Sequence, residues 1–321
     1  MAERKPLVAA RTRALATVRT QMDAWQSITR ALAALYAADP DGPPWAETFH
    51  TVVARLRGLT QSDADLAIYL LLQAAESDLR HYSVQHAMFT AVVVDLCAKW
   101  SEWPEEEVTA VTHAALTMNL GMTALQNKLA MQSGSLTPEQ RAEIDSHPAR
   151  SVELLKLAGV TDPLWLHTVQ NHHAAGATEQ ADPALAKAQR LASLLRRADI
   201  FTAKLSRRLG RAGKAAPVAA RDACLDGANQ LDEIGATMLR VLGLYPPGSL
   251  VQLANGDVSI VTRRGDKAHM PTVVSLRRAN GAVLENLRRH ETVEVPFRVL
   301  GVMRSEDLRL RLQHDRILAC G

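Results

Sequence analysis

The chain of 321 residues is poor in aromatic side chains, in cysteine and in net charge. Phe, Trp and Tyr make up only 4% of the residues, whereas Ala and Leu are abundant and favour helices. The formal charge of +3 is too small to indicate a nucleic-acid-binding protein by itself. We therefore expect a mainly helical globular protein that has no nucleic-acid partner.

The three cysteines, Cys97, Cys224 and Cys320, are far apart in the sequence and form no Cys-x-x-Cys pair. This spacing indicates neither a zinc ribbon nor a redox motif, and it favours reduced, packed thiols in a cytoplasmic protein. No segment approaches the roughly 18 consecutive apolar residues of a membrane span. The first residues lack the apolar core of a secretory signal. The sequence thus predicts a cytoplasmic location and no membrane association.

Apolar residues at helical spacing predict a long first helix over residues 7–37. After a loop rich in Asp, Gly and Pro, two more helices are expected at about 45–58 and 61–78. Thr60 or Ser62 is the candidate N-cap of the third helix. This part of the chain carries no chemical motif, so it is interpreted as an accessory domain or a dimerisation element.

Residues 81–243 contain further helix signals and no strand pattern. Thr137-Pro138-Glu139-Gln140 fits a capping box with Pro at the first helical position, and Asp162-Pro163 is a similar start. Gly159 and Gly176 are candidate helix ends.

After Tyr245 the sequence pattern changes from one typical of helices to one typical of strands. Residues 249–253 and 258–261 flank an Asn-Gly turn and predict a β-hairpin. Residues 272–276 and 292–299 predict further short strands. We therefore divide the chain into an N-terminal helical region (1–78), a helical domain (79–243) and a small β-rich C-terminal subdomain (244–321).

Four histidines and one aspartate of the helical domain are candidate ligands of a divalent ion: His86, His147, His172, His173 and Asp199. His86 and Asp199 fall on apolar helix faces, where a carboxylate is costly unless it is paired or bound to a metal. His147 precedes Pro148 at a predicted helix start. Imidazole and carboxylate suit Zn, Fe and Mn. Taken singly, a histidine is more often an ordinary core or surface residue than a metal ligand.

Several sequence elements occur in a characteristic order between Tyr82 and Leu244. They are His86, Ala-Ala-Leu-Thr-Met-Asn-Leu-Gly-Met at 114–122, Ser-Leu-Thr-Pro-Glu and Ser-His-Pro within 135–148, Asn-His-His at 171–173, and Arg-Ala-Asp-Ile-Phe-Thr-Ala at 197–203. In these elements the chain resembles an HD-GYP domain, a branch of the HD phosphohydrolase superfamily that acts in bacterial cyclic di-GMP signalling. The resemblance implies an HD-domain-like helical core and a site for two metal ions.

The chain also departs from that family. The His-Asp pair that names the superfamily is Met118-Asn119, the following Lys is Met122, and the Glu after the paired histidines is Ala174. The Gly-Tyr-Pro loop is missing from residues 174–184. By resemblance, His86 and Asp199 are what remains of the first metal site. The second site keeps three histidines and loses its bridging carboxylate. We expect at most one divalent ion (Fe, Mn or Zn) and no binuclear hydrolysis.

Arg207, Arg208 and Arg211 lie in a basic segment, where the family places a phosphate-contacting cation. Arg gives bidentate phosphate contacts, so these residues are candidate phosphate ligands. The alternative is a solvated helix end, where cations suit the helix dipole.

The sequence thus favours a non-catalytic, degenerate HD-GYP-like signalling module with a protein partner or a cyclic dinucleotide as its ligand. A homodimer formed through the N-terminal helices is one expected assembly, because Leu15, Val18, Met22 and Trp25 form an apolar stripe. Two alternatives remain open: a metal-dependent cyclic di-GMP phosphodiesterase and a metal-stabilised structural protein.

Overall fold

A computed structural model describes residues 4–40, 42, 45–174, 182–225, 230–308 and 310–321. This part of the chain is mainly helical and has one small antiparallel sheet near its C-terminal end. The helices before the sheet are α1 (Arg4–Ala37), α2 (Trp45–Ser62), α3 (Ala64–Ser77), α4 (Tyr82–Trp100), α5 (Glu105–Thr117), α6 (Thr123–Ala130), α7 (Pro138–Leu157), α8 (Pro163–Asn171), α9 (Pro183–Leu205), α10 (Ala216–Cys224) and α11 (Glu233–Leu242).

The three expected N-terminal helices are present, but the N-cap of α3 is Asp63, whose side chain accepts from the Leu66 N–H. The hydroxyl groups of both predicted N-caps form other hydrogen bonds. The Thr60 hydroxyl bonds the Leu56 carbonyl and the Ser62 hydroxyl bonds the Leu59 carbonyl, so both act within the last turns of α2. These backbone bonds compete with capping for the short polar side chains.

Helix α4 lies at the centre of the helical part and is buried along most of its length. It packs against α3, α5 and α9. One continuous apolar core runs from Trp25 in α1 to Leu242 in α11, so α1–α3 share their core with the later helices. In the apolar stripe of α1, Trp25 is buried, and Leu15, Val18 and Met22 are half-buried against their own chain.

The predicted capping box of α7 is confirmed, with Thr137 and Gln140 bonded reciprocally. The prediction that His147 lies at a helix start is wrong, because α7 continues through Pro148 to Leu157. Proline has no N–H to bond the carbonyl four residues earlier. That carbonyl belongs to Ile144, and it accepts from His147 Nδ1 instead. Because Pro148 cannot donate to the Ile144 carbonyl, this oxygen accepts from His147 and so orients its imidazole.

The starts and ends of neighbouring helices follow the sequence signals where they are described. Asp162 caps α8 through the Leu164 and Trp165 N–H groups. Gly159 follows α7 with φ +81°, a conformation that favours glycine. The prediction for Gly176 lies outside the described residues.

The sheet has the order β4-β3-β2-β1-β5 and all its neighbouring strands are antiparallel. Its strands are β1 (Leu250–Leu253), β2 (Val258–Arg263), β3 (Thr272–Arg277), β4 (Val283–Glu291) and β5 (Val299–Val302). The predicted hairpin is β1–β2, and Gly256 in its turn has φ +84°.

The strand predicted at 292–299 is wrong. A turn and a short 3-10 helix at Val295–Phe297 occupy most of that segment. The sequence analysis missed β4, which pairs with β3, has a polar sequence and lies at an edge of the sheet. An edge strand with mostly exposed side chains has no regular apolar alternation, so its sequence gave little strand signal.

Two short helices, α12 (Ser305–Leu308) and α13 (His314–Leu318), follow the sheet. Helix α13 returns to the N-terminal helices: Asp315 pairs with Arg19 at 2.7 Å, and His314 Nδ1 lies 3.0 Å from the Tyr69 hydroxyl. Among the described helices, none combines the length and the apolar character that a membrane-spanning segment requires.

Candidate metal centre

Four helices bring the five predicted ligands towards one region of the core. His86 comes from α4, His147 from α7, His172 and His173 from the end of α8, and Asp199 from α9. They form two groups: an imidazole–carboxylate pair and a cluster of three histidines. The charge of Asp199 acts on both His147 and His172, so the two groups are electrostatic neighbours.

The cluster consists of His147, His172 and His173, whose candidate ligand nitrogens all lie within 4.8 Å of one another. His147 and His172 are fully buried, whereas His173 is exposed. The ring centroids of His147 and His173 are 5.1 Å apart, and those of His172 and His173 are 4.1 Å apart. The cluster therefore has a buried side and a side open to solvent.

Backbone carbonyls fix the two buried imidazoles. His147 Nδ1 bonds the Ile144 carbonyl and His172 Nδ1 bonds the Val169 carbonyl, at 2.6 Å for the latter. Since a carbonyl oxygen only accepts, both Nδ1 atoms carry the proton. In the neutral rings both Nε2 atoms then present lone pairs, and these atoms lie 3.2 Å apart. Two facing lone pairs are unfavourable unless a proton or a cation lies between them.

Burial disfavours the proton. Desolvation is the main cause that lowers the pKa of His172 to about 3, and the charge of His173 adds to it. Burial also lowers the pKa of His147. Both rings are therefore neutral near pH 7, which is the form that binds metals.

The distance between the Nε2 atoms of His147 and His172 fits a tetrahedral ion. Zinc–nitrogen bonds of about 2.0–2.1 Å at tetrahedral angles place two ligand nitrogens about 3.3 Å apart. The observed 3.2 Å between the two Nε2 atoms agrees with this value. Hydrogen bonds from the opposite ring nitrogen to carbonyls are the usual support of metal-binding histidines. The three histidines thus fit a divalent ion as far as the donor set and its support are concerned.

His86 and Asp199 face each other directly. His86 Nε2 lies 2.8 Å from Asp199 Oδ1, and the two side chains are 2% and 17% exposed. Burial alone would raise the pKa of Asp199, but the hydrogen bond and charge of His86, with the charges of His172 and His173, lower it to about 2. The carboxylate is therefore ionised. His86 Nε2 and Asp199 Oδ1 are therefore bonded to each other.

Two threonines and a tyrosine hold His86 in place. Its Nδ1 lies 3.4 Å from the Thr202 hydroxyl, which is 2.9 Å from the Thr90 hydroxyl. The Tyr82 ring stacks on the imidazole with centroids 5.8 Å apart and planes 12° apart. Both threonines are fully buried. The imidazole is thus fixed by its own helix and by α9.

Met118 and Asn119, which the family resemblance aligns with the His-Asp pair, follow α5 directly. Met118 is fully buried, and its carbonyl accepts from the Ser151 hydroxyl at 2.8 Å. The same hydroxyl accepts from the Gly121 N–H at 2.9 Å. Ser151 is one helical turn after His147 on α7, so the segment of Met118 is fastened beside the helix that carries His147. Within the described residues, the Asn119 side chain makes no hydrogen bond to the five predicted ligands.

The three candidate phosphate ligands, Arg207, Arg208 and Arg211, have different surroundings. The Arg208 guanidinium lies over the Tyr82 ring, 5.3 Å from its centroid, and donates to the Tyr82 hydroxyl at 3.3 Å. Through Tyr82 it is connected to His86. Arg207 and Arg211 are exposed, and Arg211 donates to the Ala203 carbonyl. Only Arg208 is therefore placed near the candidate ligands.

Sequence reasoning missed the residues that support the ligands, namely Tyr82, Thr90, Ile144, Ser151 and Thr202. Thr202 lies in the Arg-Ala-Asp-Ile-Phe-Thr-Ala element at 197–203, but that element does not indicate its contact with His86. A backbone carbonyl such as that of Ile144 carries no side-chain signal, although Pro148 four residues later marks it as an acceptor without a helical partner.

Comparison of the chain with protein-family models, with curated proteins and with solved structures gave no match.

Proposed function

We propose that the chain is a degenerate HD-GYP-like signalling module that holds one divalent ion and acts by binding a partner. The observation that carries the proposal is the pair of facing Nε2 atoms of His147 and His172, 3.2 Å apart and both unprotonated on that side. An ion bound by both nitrogens would remove the lone-pair repulsion.

His147, His172 and His173 would hold the ion, with Zn, Fe or Mn as the candidates. When bound, such an ion supplies a Lewis acid and lowers the pKa of a water molecule. The chain's own contribution is to orient two imidazoles through the Ile144 and Val169 carbonyls and to keep them neutral by burial. The exposed His173 side leaves the site open to solvent.

The direct pairing of His86 with Asp199 supports a single ion rather than two. A second ion would need both groups as ligands, and each now satisfies the other at 2.8 Å. Met118 and Asn119 supply no charged ligand in their place. Phosphodiester hydrolysis at a binuclear site requires a second metal to carry the developing charge. The proposed role is therefore binding, with the metal as a structural or ligand-sensing element.

The alternative, a metal-dependent cyclic di-GMP phosphodiesterase, is favoured by the open side of the cluster and by Arg208 near His86. One experiment separates the two. The purified full-length protein is incubated with cyclic di-GMP and added Mn²⁺, Fe²⁺ or Ni²⁺, and the linear product is quantified by chromatography. The proposal predicts no turnover above the metal-only background. Turnover that is lost in His172→Ala would establish the phosphodiesterase instead.

A further inference from the structure

A cavity of about 400 Å³ lies where residues of helices α1, α3 and α4 meet. Its apolar lining includes Trp25 from α1, Leu71 from α3 and Met88 from α4, and all three are buried. The exposed residues of its wall, among them Gln26 and His81, mark the side that opens to solvent. Cavities of roughly 300–1,000 Å³ with an apolar lining and a few polar groups are typical of small-molecule sites. The volume therefore suits a small molecule.

Trp25 contributes a polar group to this cavity as well as its ring. The side chain is only 4% exposed, and its indole N–H has no acceptor among the residues that the structure describes. The other two buried tryptophans are bonded. Trp45 donates to the Leu35 carbonyl at 3.3 Å. Trp165 donates to the Thr117 hydroxyl at 2.8 Å. A buried indole N–H usually has such a partner, so Trp25 keeps a donor for a molecule in the cavity that it lines.

Gln85 on α4 is the second buried polar side chain of the cavity wall, and it is 8% exposed. Its amide, which can both donate and accept, forms no hydrogen bond within the described part of the chain. Neighbouring hydroxyl groups of the wall are bonded to their own helices. The Thr29 hydroxyl donates to the Trp25 carbonyl, and the Ser77 hydroxyl donates to the Gln73 carbonyl. The cavity thus has a free indole donor and a free amide in its lining.

The charged residues of the wall have no common sign. Arg30 is exposed and supplies a cation. Asp78 supplies a carboxylate, whose Oδ2 lies 3.0 Å from His81 Nδ1. Because one cation and one carboxylate line the same cavity, its charge selects neither an anion nor a cation. Selection of a ligand then depends on the apolar lining and on the two free polar groups.

We propose that this cavity binds a small, neutral aromatic molecule with an amide or lactam group. The oxygen of such a group accepts from Trp25 or Gln85, and its N–H donates to the Gln85 amide oxygen. A carboxylate accepts only, and a hydrocarbon does neither, so both leave buried polar groups without a partner. The thioethers of Met22 and Met88 and the Trp25 ring suit an aromatic body. The cavity shares no residue with the candidate metal centre, so the two proposals stand or fall separately.

Binding of carbostyril, a bicyclic aromatic lactam, to the full-length protein tests the proposal. The compound is titrated into protein labelled with a heavy nitrogen isotope, and the indole N–H signals are followed by NMR. Trp25→Phe identifies the signal of Trp25 by its loss. We expect a saturable shift of that signal in the wild type. N-methylcarbostyril keeps the aromatic body and lacks the N–H donor, so it should bind about 3- to 10-fold more weakly, which is the effect of one lost hydrogen bond.

Gln85→Met keeps the length of the side chain and removes its amide. It should weaken carbostyril binding by about the same factor and abolish the difference between the two compounds. Gln61→Met, at an exposed position on α2, is the matched control and should bind as the wild type does. If Gln85→Met does not fold, the two compounds on the wild type still decide. No saturable shift of the Trp25 signal, equal wild-type affinities for both compounds, or unchanged binding in Gln85→Met would overturn the proposal.

Discussion

His86 Nε2 and Asp199 Oδ1 lie 2.8 Å apart, so two groups that the family resemblance assigns to a metal ion are bound to each other. The pair joins α4 to α9 across the core. It keeps an imidazole and an ionised carboxylate in place without the need for a metal ion. This pairing is the clearest physical difference between the two halves of the candidate centre.

Asp199→Asn should destabilise the protein. The pKa of Asp199 is lowered from 3.8 to about 2, so the ionised form contributes about 2 kcal/mol to the free energy of unfolding. Because the pKa of Asp199 is lower in the folded chain than in the unfolded chain, its carboxylate stabilises the fold fully above the unfolded-state pKa. This contribution to the free energy of unfolding is lost as the pH falls from about 4 to about 2. Urea unfolding of both proteins at pH 7 and near pH 2.5 measures the difference, which should shrink at the lower pH. Asp23→Asn, at an exposed position, is the control.

The metal-free protein should lose stability as the pH falls below about 6.5. His172 has its pKa lowered to about 3 by burial, whereas an unfolded histidine titrates near 6.5. Between these values the unfolded chain binds more protons, so the free energy of unfolding falls by up to about 1.4 kcal/mol per pH unit for this residue. Chelator-treated His172→Gln should show a shallower pH dependence. His269→Gln, at an exposed site, should leave the slope as it is; equal slopes for wild type and His172→Gln would refute the assignment.

Gly121→Ala should disturb the support of His147. A Cβ at this position would lie 2.9 Å from the His147 carbonyl and from the Ser151 nitrogen, both backbone atoms of α7. Such overpacking typically costs about 1–3 kcal/mol. We expect a lower melting temperature and weaker metal retention on dialysis. Gly58→Ala is the matched control, because a Cβ there meets nothing within 4 Å and Ala favours the helix interior; an equally stable Gly121→Ala protein would contradict the packing.

Introducing the His-Asp pair of the resembled family should not create phosphodiesterase activity. In Met118→His with Asn119→Asp, two metal-binding groups return, but His86 and Asp199 still bond each other and Ala174 still replaces the family's Glu. Missing supporting groups typically cost 10- to 100-fold in metal affinity or activity each, by order of magnitude. Cyclic di-GMP turnover of the double variant is expected at background with added Mn²⁺. Robust turnover would mean that the His-Asp pair is all that the chain lacks for hydrolysis.

The sequence predicted those parts of the fold that have strong local signals. Thr137 and Gln140 specify their capping box, and the Asn-Gly turn specifies the β1–β2 hairpin, because the chemistry is contained in a few neighbouring residues. Strand β4 was missed, since an edge strand with exposed polar residues has no apolar alternation. The course of α7 through Pro148 was also missed, because proline usually marks a helix boundary, and here the side chain of the preceding His147 bonds the freed Ile144 carbonyl.

For the candidate site, motif order indicated which five side chains would share one region of the core, and spacing alone would have left that open. Motif order did not indicate that these side chains form two groups, the His86–Asp199 pair and the cluster of three histidines. The direct bond between His86 and Asp199, and the carbonyls that orient His147 and His172, depend on where separate helices pack. The family resemblance itself, the partner and the ligand remain proposals.

Metal analysis of the purified full-length protein tests the central claim most directly. The protein is loaded with Zn²⁺, Fe²⁺ or Mn²⁺, dialysed against metal-free buffer and analysed by plasma mass spectrometry, together with His172→Ala, Asp199→Asn and the exposed control His269→Ala. We predict one ion per chain in the wild type, in Asp199→Asn and in His269→Ala, and none in His172→Ala. Two ions per chain, no ion in the wild type, or an ion that is lost in Asp199→Asn but kept in His172→Ala would contradict the account.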